Sequence, residues 1–177
     1  MDFLGKATML HIGNLLTRTF FVLIHIISDT QKLSLVQSFR WVMQMNTILL
    51  SINPEHVENI INGTKKYEFR RVKCKRKVDK ILIYATSPVK MIVGEAAVTD
   101  VIEDSIEQVW KLTSQFSGIS EAFFNDYYIG KQQAVAYKLG EITSFSKPFS
   151  LDEIGVKSAP QSFVYMSDSM MGKVTNG

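Results

Sequence analysis

The apolar pattern after Met45 predicts an α+β fold in which many short strands close into a small mixed β-barrel flanked by helices. Three observations carry this reading. Short apolar or alternating runs recur along the chain, a capped helix separates the first two, and a single helical insertion divides the fourth from the fifth. Many short strands interrupted once fit a closed barrel better than a parallel α/β sheet. No internal repeat is visible.

Strand one is expected at about 46–52. Asn53 is a good N-cap, Pro54 suits the first helical position where its missing N–H costs nothing, and Glu55 favours the positive end of the helix dipole. The helix then runs over 54–62, with Val57, Ile60 and Ile61 on one face and Ile52 stapled against Val57. Gly63 supplies the left-handed residue that ends it. From there the period changes to two over 66–72, placing Tyr67 and Phe69 on one face and Glu68 and Arg70 on the other. Strands three and four are expected at 80–86 and 91–102.

The helical insertion follows. Ser105 and Gln108 form a capping box ahead of an apolar face of Ile106, Val109, Trp110 and Leu112. A second helix runs from Glu121 to Ile129, capped by Ser120 and stopped by Gly130. Val135, Tyr137 and Leu139 alternate as strand five, which is expected to continue through Glu141 to Phe145 after a kink at Gly140. Ser150 with Glu153 caps a final turn, Ser162 to Met166 forms the last strand, and residues 168–177 read as a disordered tail.

Composition narrows the function without naming it. The 177 residues are 46% hydrophobic, ample for one packed core. A net charge of +3 and a pI near 8.9 are only mildly basic, so charge by itself does not argue for RNA. The lone Cys74 excludes an intramolecular disulfide framework and any zinc site built on two or more thiolates, which favours the cytoplasm. His11, His25 and His56 are scattered, so neither a metal cluster nor a histidine-based triad is expected. The glycines form neither a G-x-G-x-x-G nor a Walker pattern, so no cofactor is indicated.

Residues 1–44 differ from the rest. They hold none of the nine Glu residues, and their apolar run from Phe20 to Ile27 is far shorter than the roughly 20 residues of a membrane span. A signal peptide fits poorly, since Asp2 offsets Lys6 and no clear small-residue cleavage site follows. Two readings stay open: upstream sequence translated in frame, with Met45 as the natural start, or a loosely attached N-terminal helix.

The most informative stretch is Gly63-Thr64-Lys65-Lys66-Tyr67-Glu68-Phe69-Arg70, which sets three charges at fixed offsets where helix hands over to strand. With the preceding Ile48-Leu49-Leu50-Ser51-Ile52-Asn53-Pro54 it resembles the opening of the ASCH domain, whose signature is G-x-K-x-x-E-x-R. The likeness continues through Lys80 to Pro88, Ile92 to Ala96 and Ala159 to Met166, so an ASCH domain is expected over 45–167. The resemblance implies a PUA-like barrel, an RNA-related role and a regulator of transcription or translation.

Within that frame Lys65 and Arg70 would hold phosphate or a base edge, and Glu68 would orient Arg70 or accept from an exocyclic amine. The partner would be RNA or a modified nucleoside, with no membrane and no metal. Tyr67 and Tyr84 are candidates to stack a base, core packing being the plainer reading of both. Arg71, Lys73 and the run through Lys77 either extend a phosphate surface or form a solvated loop. An acid and a base two apart on an open strand would otherwise be a solvated pair worth at most about 1 kcal/mol.

An enzyme is the alternative. In the acetylcytidine amidohydrolase branch of ASCH-like proteins a lysine activates a threonine nucleophile. The resemblance keeps Lys65 and puts Glu68 at the threonine's place, and Thr64 points elsewhere. The alternative is a small amidohydrolase acting on an acylated nucleoside; a different hydrolysis would use Glu68 as general base on water, with Lys65 or Arg70 at the oxyanion. A module that only docks protein is a third reading, recommended by no exposed apolar stripe.

Overall fold

A computed structural model describes residues 46–174. The expected Met45 start and both readings of residues 1–44 lie outside the described residues. Six strands and four α-helices alternate as β1 (Thr47–Ile52), α1 (Pro54–Ile61), β2 (Tyr67–Arg70), β3 (Lys80–Ala85), β4 (Met91–Ser105), α2 (Ile106–Thr113), α3 (Glu121–Tyr127), β5 (Gln133–Phe149), β6 (Val164–Tyr165) and α4 (Asp168–Val174). The strands form one mixed sheet in the order β2-β5-β4-β3-β1-β6. β1 and β3 pair in parallel, and the other ladders are antiparallel.

β1 and β3 lie inside the sheet and are covered on both faces, which is why they read as continuous apolar runs. Ile48, Leu50, Ile81 and Ile83 point into one core together with Val57 and Ile60 of α1, whereas Leu49, Leu82 and Tyr84 point into a second. The caps sit where the side-chain chemistry places them. Asn53 accepts from the Glu55 N–H at 3.1 Å, Ser105 from Gln108 at 3.3 Å and Ser120 from Phe123 at 3.2 Å. Gly63, at φ +80°, adopts the left-handed conformation that closes α1.

The expected barrel closure is not found: among the described residues no ladder joins the edge strands β2 and β6. Side chains tie the region beside β2 to β1 and β6 instead. The Arg70 guanidinium donates to the Ser51 carbonyl of β1 at 2.8 Å, and the Arg76 N–H donates to the Tyr165 hydroxyl of β6 at 3.1 Å. β5 continues past Gly140 as a 17-residue strand, and its pairing with β4 shifts register there, Val98 facing Leu139 and Ala96 facing Ile142. One more expectation is corrected: residues 168–174 of the expected disordered tail form α4, and 175–177 lie outside the described residues. Met170, Met171 and Val174 of α4 pack on the second core, apolar positions at i, i+1 and i+4 that a short polar-looking segment hides.

A third core seats the helical insertion. Val109, Phe124 and Tyr128 pack against Phe69, Ala134 and Ala136, with Trp110 alongside as its apolar face predicts. The Tyr128 hydroxyl lies 3.1 Å from the carbonyls of both Arg70 and Val135, so α3 is pinned to the end of β2. This pin brings the insertion over the strand that carries the charges.

Candidate functional site

The signature charges converge on one cavity. The turn after α1 is held by the Lys65 N–H donating to the Asn59 carbonyl at 2.8 Å, while the Lys66 N–H donates to Phe116 at 2.8 Å. Lys65 is thereby drawn inward until only 2% of it is exposed, and Glu68 follows at 6%. A buried ammonium needs compensation. The Lys65 Nζ donates to the Ser117 carbonyl at 3.0 Å, stands 3.9 Å from Glu68 Oε2 and lies 4.6 Å over the Phe69 ring. Arg70 Nη2 meets Glu68 Oε1 at 2.9 Å. One carboxylate therefore serves two cations.

The cavity encloses about 230 Å³ and is lined by the β1–α1 junction (Ser51, Ile52, Asn53, His56), the signature residues with Phe69, and the insertion (Ile119, Phe123, Tyr127). Burial lowers the Lys65 pKa, the nearby Arg70 adding to the effect and Glu68 opposing it. Burial also lowers that of His56, helped by Lys65 and opposed by Glu68 and Glu55, and it raises that of the Tyr127 phenol. His56 Nδ1 and Arg70 Nε are buried with no hydrogen-bond partner among the described residues.

Lys65, Glu68 and Arg70 thus meet as expected, and the exposed solvated pair is set aside by their burial. The other expected site residues divide. Arg71 stacks 4.7 Å over the ring of cavity-lining Tyr127. Tyr67 packs into the third core and is not a lining residue, and Tyr84, 7% exposed, belongs to the second core. Neither is among the residues that line this cavity, and Tyr84 sits on β3, a strand covered on both faces. Lys73 pairs with Glu103 at 2.8 Å, and no residue of the run from Lys73 to Lys77 lines the cavity.

Sequence reasoning missed His56, Phe123 and Tyr127 as lining residues. A signal existed for the last two. In Ser120 to Tyr128 the aromatics form two i, i+4 pairs, Phe124 with Tyr128 and Phe123 with Tyr127, and two such pairs on a short helix cannot share one face. The first pair fills the core and the second lines the cavity. The His56 ring packs edge-on against Phe123 with centroids 5.4 Å apart.

A mixed sheet with a helical insertion, carrying its lysine, glutamate and arginine into a cavity at the β1–α1–β2 corner, defines a PUA-like protein. The chain belongs to the ASCH domain family, whose model matches residues 50–144. It is 30% identical over 107 residues to an ASCH domain-containing ribonuclease of Zymomonas mobilis, covering 60% of this chain and 72% of that protein. It is likewise 30% identical over 121 residues to the large ribosomal subunit protein uL22 of Ureaplasma parvum, covering 68% of this chain. The chain spans 39% of the length of that ribosomal protein and 16% of an ATP synthase subunit alpha from the same organism. The crystal structure of ASCH from Zymomonas mobilis superposes with a TM-score of 0.69 at 28% identity, covering 73% of this chain and 94% of that one.

Proposed function

We propose that this ASCH protein binds RNA, or a nucleotide-like ligand, by taking one nucleotide unit into the cavity. The observation that carries the reading is the surplus of positive charge: the buried Lys65 and the part-buried Arg70 share the Glu68 carboxylate, beside an Arg70 Nε and a His56 Nδ1 without partners among the described residues. Such a site attracts a phosphate or the acceptor-rich edge of a base. The volume, below the roughly 300–1,000 Å³ of a drug-sized site, suits one ring system. Phe123 and Tyr127 supply apolar faces for it. A regulatory role in transcription or translation and a cytoplasmic location accompany this reading.

Calorimetric titration of the full chain with a single-stranded RNA hexamer tests it. Lys65→Ala and Arg70→Ala should each weaken binding at least tenfold, and Phe123→Ala, at a half-exposed position that spares the core, should do so through lost stacking. Unchanged isotherms for all three overturn the proposal.

Hydrolysis is the second reading, favoured by the Zymomonas relative named a ribonuclease. Glu68 is already engaged by Lys65 and Arg70, which weakens the acylated-nucleoside alternative. His56 is better placed: its lowered pKa keeps it neutral, and its Nδ1 is unpartnered. It would take the proton of a ribose 2′-hydroxyl as that oxygen attacks phosphorus, while Lys65 gives a proton to the departing 5′-oxygen. RNA oligomers ending in a 2′,3′-cyclic phosphate, absent with His56→Gln, are the expected product. Acid release from acetylated cytidine would favour the amidohydrolase reading instead.

A further inference from the structure

Two cations bracket the cavity-lining strand without entering the cavity. Lys66 precedes β2 and Arg71 follows it, and both are exposed. The Lys66 ammonium lies 4.1 Å over the Phe116 ring. The Arg71 guanidinium lies 4.7 Å over Tyr127, and its Nε donates to the Tyr127 carbonyl. Among the described residues neither cation pairs with a carboxylate, whereas Lys73, Lys77 and Lys80 are matched by Glu103, Asp79 and Glu95.

One ring lines the site and the other adjoins it. Tyr127 lines the cavity, and Phe116 directly precedes Ser117, whose carbonyl holds the Lys65 ammonium. A cation parked on an aromatic face is preorganised and gives up little side-chain freedom when it meets a ligand. From position 66 to 71 the backbone extends roughly 17 Å at about 3.3 Å per residue, the reach of some three to five nucleotides.

We propose that Lys66 and Arg71 contact the phosphates flanking the nucleotide held in the cavity, so that a single-stranded RNA runs along β2 from the Phe116 side to the Tyr127 side. This rests on the RNA-binding reading above. A duplex does not fit the arrangement, because a cavity that takes one ring needs a base turned out of its stack.

Binding of a hexauridylate and of uridine 5′-monophosphate to the full chain, measured from 50 to 300 mM salt, separates the two ideas. The double variant Lys66→Gln with Arg71→Gln should lower hexamer affinity about tenfold at low salt. The slope of log K against log salt should become shallower by about 1.4, or 0.7 per lost phosphate contact. Monophosphate affinity should stay within twofold, and neutralising the carboxylate-paired Lys73 and Lys77 should leave the slope unchanged. An unchanged slope in the first variant, or an equal change in the second, overturns the proposal. Monophosphate and hexamer bound alike by the native chain would remove the flanking contacts and keep the cavity, whereas no binding of either would remove both.

Discussion

Lys65 and Gly118 are packed so closely that a Cβ on Gly118 would lie 2.5 Å from the Cβ of Lys65 and 3.1 Å from its Cα. Gly118 also sits at φ +64°, where side chains are strained, and its carbonyl accepts from Asn59 Nδ2 at 3.3 Å. The insertion can close over the signature lysine only because this residue has no side chain. Gly118→Ala should therefore combine a left-handed penalty of about 1 kcal/mol with an overpacking cost of about 1–3 kcal/mol. Urea unfolding should register a total of about 2–4 kcal/mol, and RNA binding should weaken with it. A variant as stable as the native chain would mean that the segment after Ser117 is free to shift.

Glu68 holds the buried Lys65 ammonium and the part-buried Arg70 guanidinium, so its neutralisation should destabilise the protein by about 3 kcal/mol. The loss should also depend on pH. The folded Lys65 pKa lies below its ordinary value of 10.5. Between the folded value and 10.5 the unfolded state binds more protons, so stability rises with pH across that window. Glu68 opposes the lowering, and Glu68→Gln therefore drops the Lys65 pKa further and lets the ammonium shed its proton earlier. The deficit of Glu68→Gln against the native chain should shrink from pH 7 to pH 9.5, as read from denaturation midpoints. A constant deficit would show that Lys65 stays charged.

Much of this site was legible beforehand, for a local reason. The offsets of Lys65, Glu68 and Arg70 follow from one capped helix, one left-handed glycine and one short strand, all set by neighbouring residues. Their burial was not legible, because it is imposed by Ser117 and Gly118, some 50 residues away. Tyr84 is the opposite case: core packing was the plainer reading from its strand period, and it lies in the second core with Leu49 of β1 and the apolar residues of α4. Barrel closure was not legible, since a count of short strands says nothing about whether the two edges meet; here Arg70 of β2 reaches β1 and the loop after β2 reaches Tyr165 of β6.

His56 gives a separate pH signature. Burial and Lys65 hold its folded pKa below the ordinary 6.5. As pH falls below about 6.5 the unfolded chain takes up a proton that the folded chain refuses, so stability declines until the folded pKa is passed and then levels off. Comparison of native and His56→Gln stability between pH 4.5 and 7.5 isolates this from the other histidines. The native curve should fall more steeply on acidification; parallel curves would place His56 in ordinary contact with water.

The C-terminal helix offers the sharpest test of the second core. Met170, Met171 and Val174 of α4 are partly buried against a cluster that contains Leu49, Leu82 and Tyr84. At roughly 1 kcal/mol for each half-buried apolar side chain, truncation after Ser167 should cost about 2–4 kcal/mol. Because Tyr84 lies in this second core and outside the cavity lining, the loss should leave affinity for the RNA hexamer within twofold once folding is complete. A truncated chain with native stability would return residues 168–174 to the status of a loose tail, and a truncated chain that folds but no longer binds would couple the second core to the cavity.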